Sequence, residues 1–286
     1  MALLPLSFLY LLSDMVWPLL YYVARYRRRI VRRNLMASYP NYNIVQLKKI
    51  EYKFYRHFCD VFLEAIKLFT ISSQEMHRRM SFKNTELIHH YLSQEKNVFM
   101  MLGHYGNWEW VTSFGHFIDS RYKSGQIYHP LKNAYWDRFF LDLRGRYNVE
   151  SIPMKKVFRK ILRYKQQHQP VIVGFIADQS PKPIALDCWI PFLNQATPFL
   201  TGAERMAKQT DAVVIYLDIT CTRRGYYEGT FRLITDAPQE TAEYEITTQY
   251  AHMLEETINR APAYWLWSHK RWKHADKNPS LTTQPL

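Results

Sequence analysis

The 286-residue chain has little acid, few glycines and almost no cysteine. Its three cysteines, Cys59, Cys188 and Cys221, are odd in number, far apart and in no Cys-x-x-Cys spacing. That pattern suggests neither a disulfide framework nor a zinc cluster, and it points to a reducing compartment. The nine glycines build no Gly/Ser linker, and no internal repeat or low-complexity segment divides the chain after about residue forty. One globular unit with an N-terminal appendage is therefore expected, residues 1–33 forming the appendage and 34–286 the globular domain. Only 25 Asp and Glu stand against 38 Lys and Arg, a formal charge of +13. A surface this basic attracts nucleic acid, anionic lipid head groups or acidic carrier proteins, and charge by itself does not choose among them.

What the chain does have is a long apolar start. Residues 2–24, ALLPLSFLYLLSDMVWPLLYYVA, are long enough at about 1.5 Å per residue to cross a bilayer core of about 30 Å. Asp14 and Pro18 weaken this segment as a spanning helix. Arg25, Arg27, Arg28, Arg29, Arg32 and Arg33 follow at once, where the positive-inside rule puts charge on the cytoplasmic side. A cleaved signal peptide has its charge before the apolar run and small residues after it, the reverse of this order. A retained membrane anchor is expected, either spanning the bilayer or lying in its interface.

Residues 44–70, IVQLKKIEYKFYRHFCDVFLEAIKLFT, repeat apolar side chains every three or four positions and predict an amphipathic helix. The runs NVFMML (97–102), GQIYHP (125–130), PVIVGFIAD (170–178) and DAVVIYLDIT (211–220) are short and β-rich, with helical stretches between most of them. This alternation predicts an α/β fold with a largely parallel central sheet flanked by helices. AVVIYLDITCT and YYEGTFRLI, joined around RRGY, read as an antiparallel hairpin on one side. A helix over about 240–260 and an aromatic-basic tail, YWLWSHKRWK (264–273), complete the chain. In open α/β sheets ligands sit beyond the carboxyl ends of the strands. His104 follows one such strand and Asp178 ends another, so both are expected to line one crevice.

The stretch MMLGHYGNWEW (100–110) sets His104 and Glu109 five positions apart behind that first strand. In a continuous helix the two would lie roughly 140° apart at about 100° per residue and would not meet. Gly103 and Gly106 allow a sharp strand-to-helix turn instead, with His104 ahead of the helix and Glu109 in its first turn, reaching back. A carboxylate on one imidazole nitrogen fixes the tautomer and leaves the other as a base. No Gly-x-Ser-x-Gly elbow or reactive cysteine lies nearby, so the hydroxyl or amine to be activated comes with the substrate. The alternative is a helix N-terminus in which Glu109 serves the macrodipole and His104 is a turn residue.

GHYGNWEW resembles the His-x4-Asp/Glu motif of the lysophospholipid acyltransferase superfamily, and most of all its late lipid A acyltransferase branch. IYHPLKN, LRGRYN, GFIADQS and YWLWSHKRWK resemble, in order, further segments of that branch, so the likeness spans nearly the whole chain. It implies a glycerol-3-phosphate acyltransferase-like fold with an N-terminal membrane helix. It also implies acyl transfer from a thioester, on acyl carrier protein or coenzyme A, to a hydroxyl of a lipid acceptor such as a lipid A precursor. The place implied is the cytoplasmic face of the inner membrane, with a monomer needing neither metal nor cofactor. His104 corresponds to the general base and Glu109 to its partner. Arg144, Arg146 and Asp178 correspond to substrate-site residues, and His129, Lys132 and Asn133 lie in a further matching segment. His129 departs from the branch, which has arginine there, and so suits a less anionic acceptor.

The alternatives for these residues are structural. Arg144 and Arg146 are also read as solvated helix-end charges, Asp178 as a cap, and Lys132 and Asn133 as loop residues. A nucleic-acid binder would use the same basic and aromatic composition, but six arginines cluster beside the apolar start and no nucleic-acid-binding motif is present. A metal-dependent hydrolase would draw on His89, His90, His104 and His116, whose spacing matches no ligand signature.

Overall fold

The structure is a computed structural model that describes residues 2–279 other than 129, 131 and 132, and describes Trp136, Phe139, Phe140, Leu143 and Arg144 by their backbone. The chain runs α1 (Leu6–Pro18), α2 (Arg28–Ser38), α3 (Ile44–Lys67), α4 (Ser73–Arg79), β1 (Met80–Lys83), α5 (Thr85–Ser93) and β2 (Val98–Leu102). It continues through β3 (Lys123–Tyr128), α6 (Ala134–Gly145), β4 (Val149–Pro153), α7 (Val157–Gln166), β5 (Val171–Ile176), β6 (Cys188–Phe192) and β7 (Gln195–Phe199). Last come α8 (Gly202–Thr210), β8 (Val213–Arg223), β9 (Tyr226–Thr235) and α9 (Glu245–Arg260).

Seven strands form one sheet in the order β1-β9-β8-β2-β5-β3-β4. From β8 to β4 neighbouring strands are parallel, whereas β9 returns antiparallel to β8 as the expected hairpin, with β1 on its far edge. Helices cover the sheet, which is why every residue of β2 is buried and its sequence is continuously apolar. The predicted α/β class therefore holds. The short strands β1 and β4 and the separate β6–β7 hairpin have no counterpart among the sequence-based strands. They are four or five residues long, too short to set a period in the sequence.

The N-terminal helix is docked on the body. Asp14, which weakens the apolar run, pairs with Arg56 at 2.8 Å and with Arg224 of the β8–β9 turn at 2.8 Å. Arg224 in turn holds Asp60 of α3 at 2.6 Å. Pro18 offers no N–H, and the turn after it widens to a π pattern over Leu19–Val23, with the Ala24 N–H donating to the Leu19 carbonyl at 2.9 Å. Leu6–Val23 is the candidate for crossing a membrane among the described residues, and 22% of it is buried in the protein. Phe8, Leu11, Met15, Leu19 and Tyr22, three or four residues apart, are exposed on its outer side. α2 continues across the boundary expected at residues 33 and 34 and is tied to the tail, because Asn34 Nδ2 donates to the carbonyls of Trp267 and His269, each at 2.9 Å.

Candidate active site

Register brings the site together. β2 and β5 are adjacent and parallel with Leu102 opposite Ile176, so two residues beyond each strand end His104 meets Asp178. The His104 Nδ1–H donates to Asp178 Oδ1 at 2.6 Å, and the His104 backbone N–H donates to Oδ2 at 2.8 Å. Trp265 closes the carboxylate from the tail, its indole N–H donating to Oδ2 at 2.8 Å. With Nδ1 committed as a donor to an acceptor-only group, Nε2 is the accepting nitrogen, and Gln179 Nε2 donates to it at 3.2 Å. The imidazole is 17% exposed and the carboxylate 2%, so a base faces the outside and its orienting group is buried behind it.

Burial alone would raise the Asp178 carboxyl. The field of His104 and the hydrogen bonds from His104 and Trp265 outweigh it and bring the group down to about 2. Asp178 is therefore ionised at neutral pH.

Two glycines make the turn possible. A Cβ on Gly103 would lie 2.6 Å from Leu254 of α9 and 3.2 Å from Asp178 Oδ2, while Gly106 sits at φ +58°, where side chains are strained. The Gly106 N–H donates to the Tyr264 carbonyl at 3.0 Å and the Leu266 N–H to that of His104 at 3.1 Å, so the tail lies against the turn through an isolated antiparallel bridge between Tyr105 and Trp265. From the other side His57 of α3 donates through Nε2 to the Gly106 carbonyl at 3.2 Å.

Glu64 of α3 is the other anchor of this turn. Its buried carboxylate accepts from Tyr10 at 2.6 Å, Asn107 at 2.7 Å and Tyr227 at 2.8 Å, linking α1, the turn and β9. Burial lifts it from 4.5 to about 7, against the pull of these hydrogen bonds. The folded protein thus keeps this proton up to about pH 7 and the unfolded chain only up to about 4.5. Stability from this group is full below pH 4.5 and is lost as pH rises to about 7, by an amount on the order of 3 kcal/mol. Glu64→Gln is expected to flatten that dependence. Thermal melting of both proteins in steps from pH 4.5 to 8 tests it, and parallel curves would discard the assignment.

The expected site residues fall into four groups. His104 and Asp178 meet directly. The imidazole nitrogen that sequence reasoning gave to Glu109 is held by Asp178, and Glu109 instead stands just ahead of a short 3₁₀ turn, Trp110–His116, rather than within a first helical turn. Glu109 lines a small cavity with Trp108, Met100, Leu102, Thr112, Gln126 and Ile176 on the sheet face next to His104. Arg146 donates to the carbonyls of Leu68 and Ile71 after α3, outside the His104 network. Asn133 caps α6, its Oδ1 accepting from the Tyr135 N–H at 3.0 Å. His129 and Lys132, and the side chain of Arg144, lie outside the described residues.

Sequence reasoning did not single out Trp265, Gln179, His269 or Glu64. Trp265 and His269 were visible only as members of an aromatic-basic tail, and Gln179 only as the neighbour of Asp178. His269 accepts the Ser180 N–H at 3.1 Å, and burial takes its imidazole down to about 4, so it is neutral. No group of three or more His, Cys, Asp or Glu is placed to hold a metal ion among the described residues.

Two larger openings are lined by neighbouring parts of the chain. A groove of about 520 Å³ runs past the ends of β3 and β5 to α7 and α8, lined by Ile127, Phe158, Ile176, Ala177, Leu200 and Met206 among others. A wide cationic cup of about 980 Å³ is formed by Arg25, Arg27, Arg28, Arg29, Arg32, Arg33 and Lys270. Arg27 Nη1 donates to the Ser268 carbonyl at 3.1 Å, so the cup adjoins the tail that holds Asp178.

A family model described as "Bacterial lipid A biosynthesis acyltransferase" matches residues 1–274. No curated protein sequence matches the chain.

Proposed function

Since the chain belongs to the bacterial lipid A biosynthesis acyltransferase family, we propose that it moves a fatty acyl group from an acyl carrier protein thioester to a hydroxyl of a lipid A precursor. The observation that carries this reading is the His104–Asp178 pair at the crest of the sheet, oriented so that Nε2 accepts. The acceptor hydroxyl replaces the Gln179 amide at Nε2 and gives up its proton there as its oxygen attacks the thioester carbonyl. The new C–O bond forms, the C–S bond breaks, and the imidazolium returns the proton to the departing thiolate. Asp178 stabilises the imidazolium meanwhile. Glu109 lines the adjoining cavity as a second acidic member of the site, and Arg144 remains the candidate for an anionic substrate group.

The apolar groove beside Ile176 and Ala177 has the volume and lining for an acyl chain. Docking of α1 through paired charges, with an apolar outer face and an arginine cup at its end, supports a helix lying against the cytoplasmic leaflet of the inner membrane. The same positive surface suits an acidic carrier protein.

The test is transfer of radiolabelled acyl chains by the purified full-length protein, from carrier-protein and coenzyme A thioesters in parallel, to lipid A precursors and to glycerolipid acceptors. Label in the precursor from the carrier-protein donor is expected. Transfer only to glycerolipids, or only from coenzyme A, would replace the acceptor or the donor named here.

A further inference from the structure

After residue 70 the described residues expose six large apolar side chains, and four of these gather at one place. Met154, Phe158 and Ile176 line the apolar groove, and Ile184 adjoins its lining residue Ala185. Single exposed apolar residues are ordinary, whereas a cluster around one opening marks an interaction surface. Ile184 is the extreme case, 91% exposed. It stands at the corner of a turn closed by the Ala185 N–H, which donates to the Lys182 carbonyl at 2.9 Å, with Pro183 ahead of it. Turn corners favour Pro, Gly, Asn, Asp and Ser, so the turn explains the proline and gives no reason for the isoleucine. The loop is held at both ends. Pro181 is buried, the Ser180 N–H donates to His269 at 3.1 Å, and the Trp189 indole N–H donates to the Leu186 carbonyl at 2.7 Å.

The charge around these side chains is of one sign. Met154, 55% exposed, and Phe158 stand at the start of α7, interleaved with exposed Lys155, Lys156 and Arg159, and exposed Lys182 opens the turn of Ile184. Asp187 is the one acidic residue of the two segments 154–160 and 180–187. The first turn of α7 holds no acid, although a helix N-terminus is itself positive and is stabilised by one. Apolar tips among such cations suit a bilayer interface, where the tips enter the acyl layer and the cations meet lipid phosphates. The acidic surface of a carrier protein would match the cations and leave the apolar tips without an apolar layer to enter.

We propose that the mouth of the groove is a second membrane contact, in which Ile184, Met154 and Phe158 enter an anionic leaflet and an acyl chain passes between bilayer and groove without crossing water. The groove reaches from Ala185 at this rim to Ala177, the residue before Asp178, and Gln179 of the same loop touches His104. That use of the contact rests on the reading of the groove as the acyl chain's site. The contact itself does not.

The test labels the full-length protein with an environment-sensitive fluorophore on a cysteine placed at 184, 154 or 233. Each protein is bound to vesicles of phosphatidylglycerol and phosphatidylethanolamine whose acyl chains carry bromine. Leu233 is the control, because it is also exposed and apolar but lies opposite Ile215 near the start of β8, at the other end of the sheet. The unsubstituted protein, labelled in parallel, corrects for the partly exposed Cys221. Bromine is expected to quench Ile184→Cys and Met154→Cys and to spare Leu233→Cys. Ile184→Ser is expected to lower kcat/KM about tenfold more for an acceptor carried in vesicles than for a soluble short-chain acceptor. Unquenched labels at 184 and 154 on vesicle-bound protein overturn the proposal, as does equal quenching at 233. Shielding of the 184 label by acyl carrier protein but not by vesicles overturns it in favour of a carrier-protein surface, and an equal loss of kcat/KM on both acceptors places Ile184 in the groove instead. Where the wild type transfers no acyl group, the proposed function fails and the quenching still decides the contact.

Discussion

His104→Ala is expected to lower kcat for acyl transfer by about 10³-fold while the protein stays folded. The effect is large because the imidazole is the one group in the described crevice with an accepting nitrogen turned outward and a carboxylate fixed behind it. Without it the acceptor hydroxyl would have to attack as a neutral alcohol, with no group to take its proton. The fold should survive, since Asp178 keeps two donors, the residue 104 backbone N–H and the Trp265 indole, each at 2.8 Å. Binding of both substrates should persist, so KM is expected to change little. Single-turnover rates with circular dichroism on the same preparation test this. A folded alanine variant turning over near the wild-type rate would place the base elsewhere.

Asp178→Asn is expected to cost about 10²- to 10⁴-fold in kcat, for a reason that lies in the hydrogen-bond polarity. Two N–H donors converge on Oδ2, so the asparagine oxygen must take that place. Its NH₂ then faces His104 Nδ1, which must switch from donor to acceptor. The proton moves to Nε2, and the nitrogen facing the substrate is no longer a base. A pH–rate profile of this variant beside Glu109→Gln distinguishes the two carboxylates. A fully active Asp178→Asn beside an inactive Glu109→Gln would return the orienting role to Glu109 and show that the imidazole reorients when substrate binds.

Much of the frame was legible because it is written locally. The apolar runs of β2, β5 and β8 and the three- and four-residue repeat of α3 each come from a continuous stretch whose burial demands that pattern. The glycines around His104 announced the turn for the same reason, since a side chain at either would clash or strain. β1, β4 and the β6–β7 hairpin escaped notice because short edge or separate strands bury too little to impose a period.

The partner of His104 was of another kind. His-x4-Glu is close in sequence, and its spacing, the flanking glycines and the family resemblance suggested that pair. Asp178 lies 74 residues from His104, and they meet because β2 and β5 became neighbours in parallel register, with residue 102 opposite 176. Trp265 reaches the same carboxylate only after the tail folds back against the turn. The sequence by itself determined the class of fold, the glycine-flanked turn that carries His104 and the apolar, arginine-flanked start, because each depends on neighbours along the chain. Which carboxylate holds the His104 imidazole only the tertiary structure decided, because strand order and register set that distance.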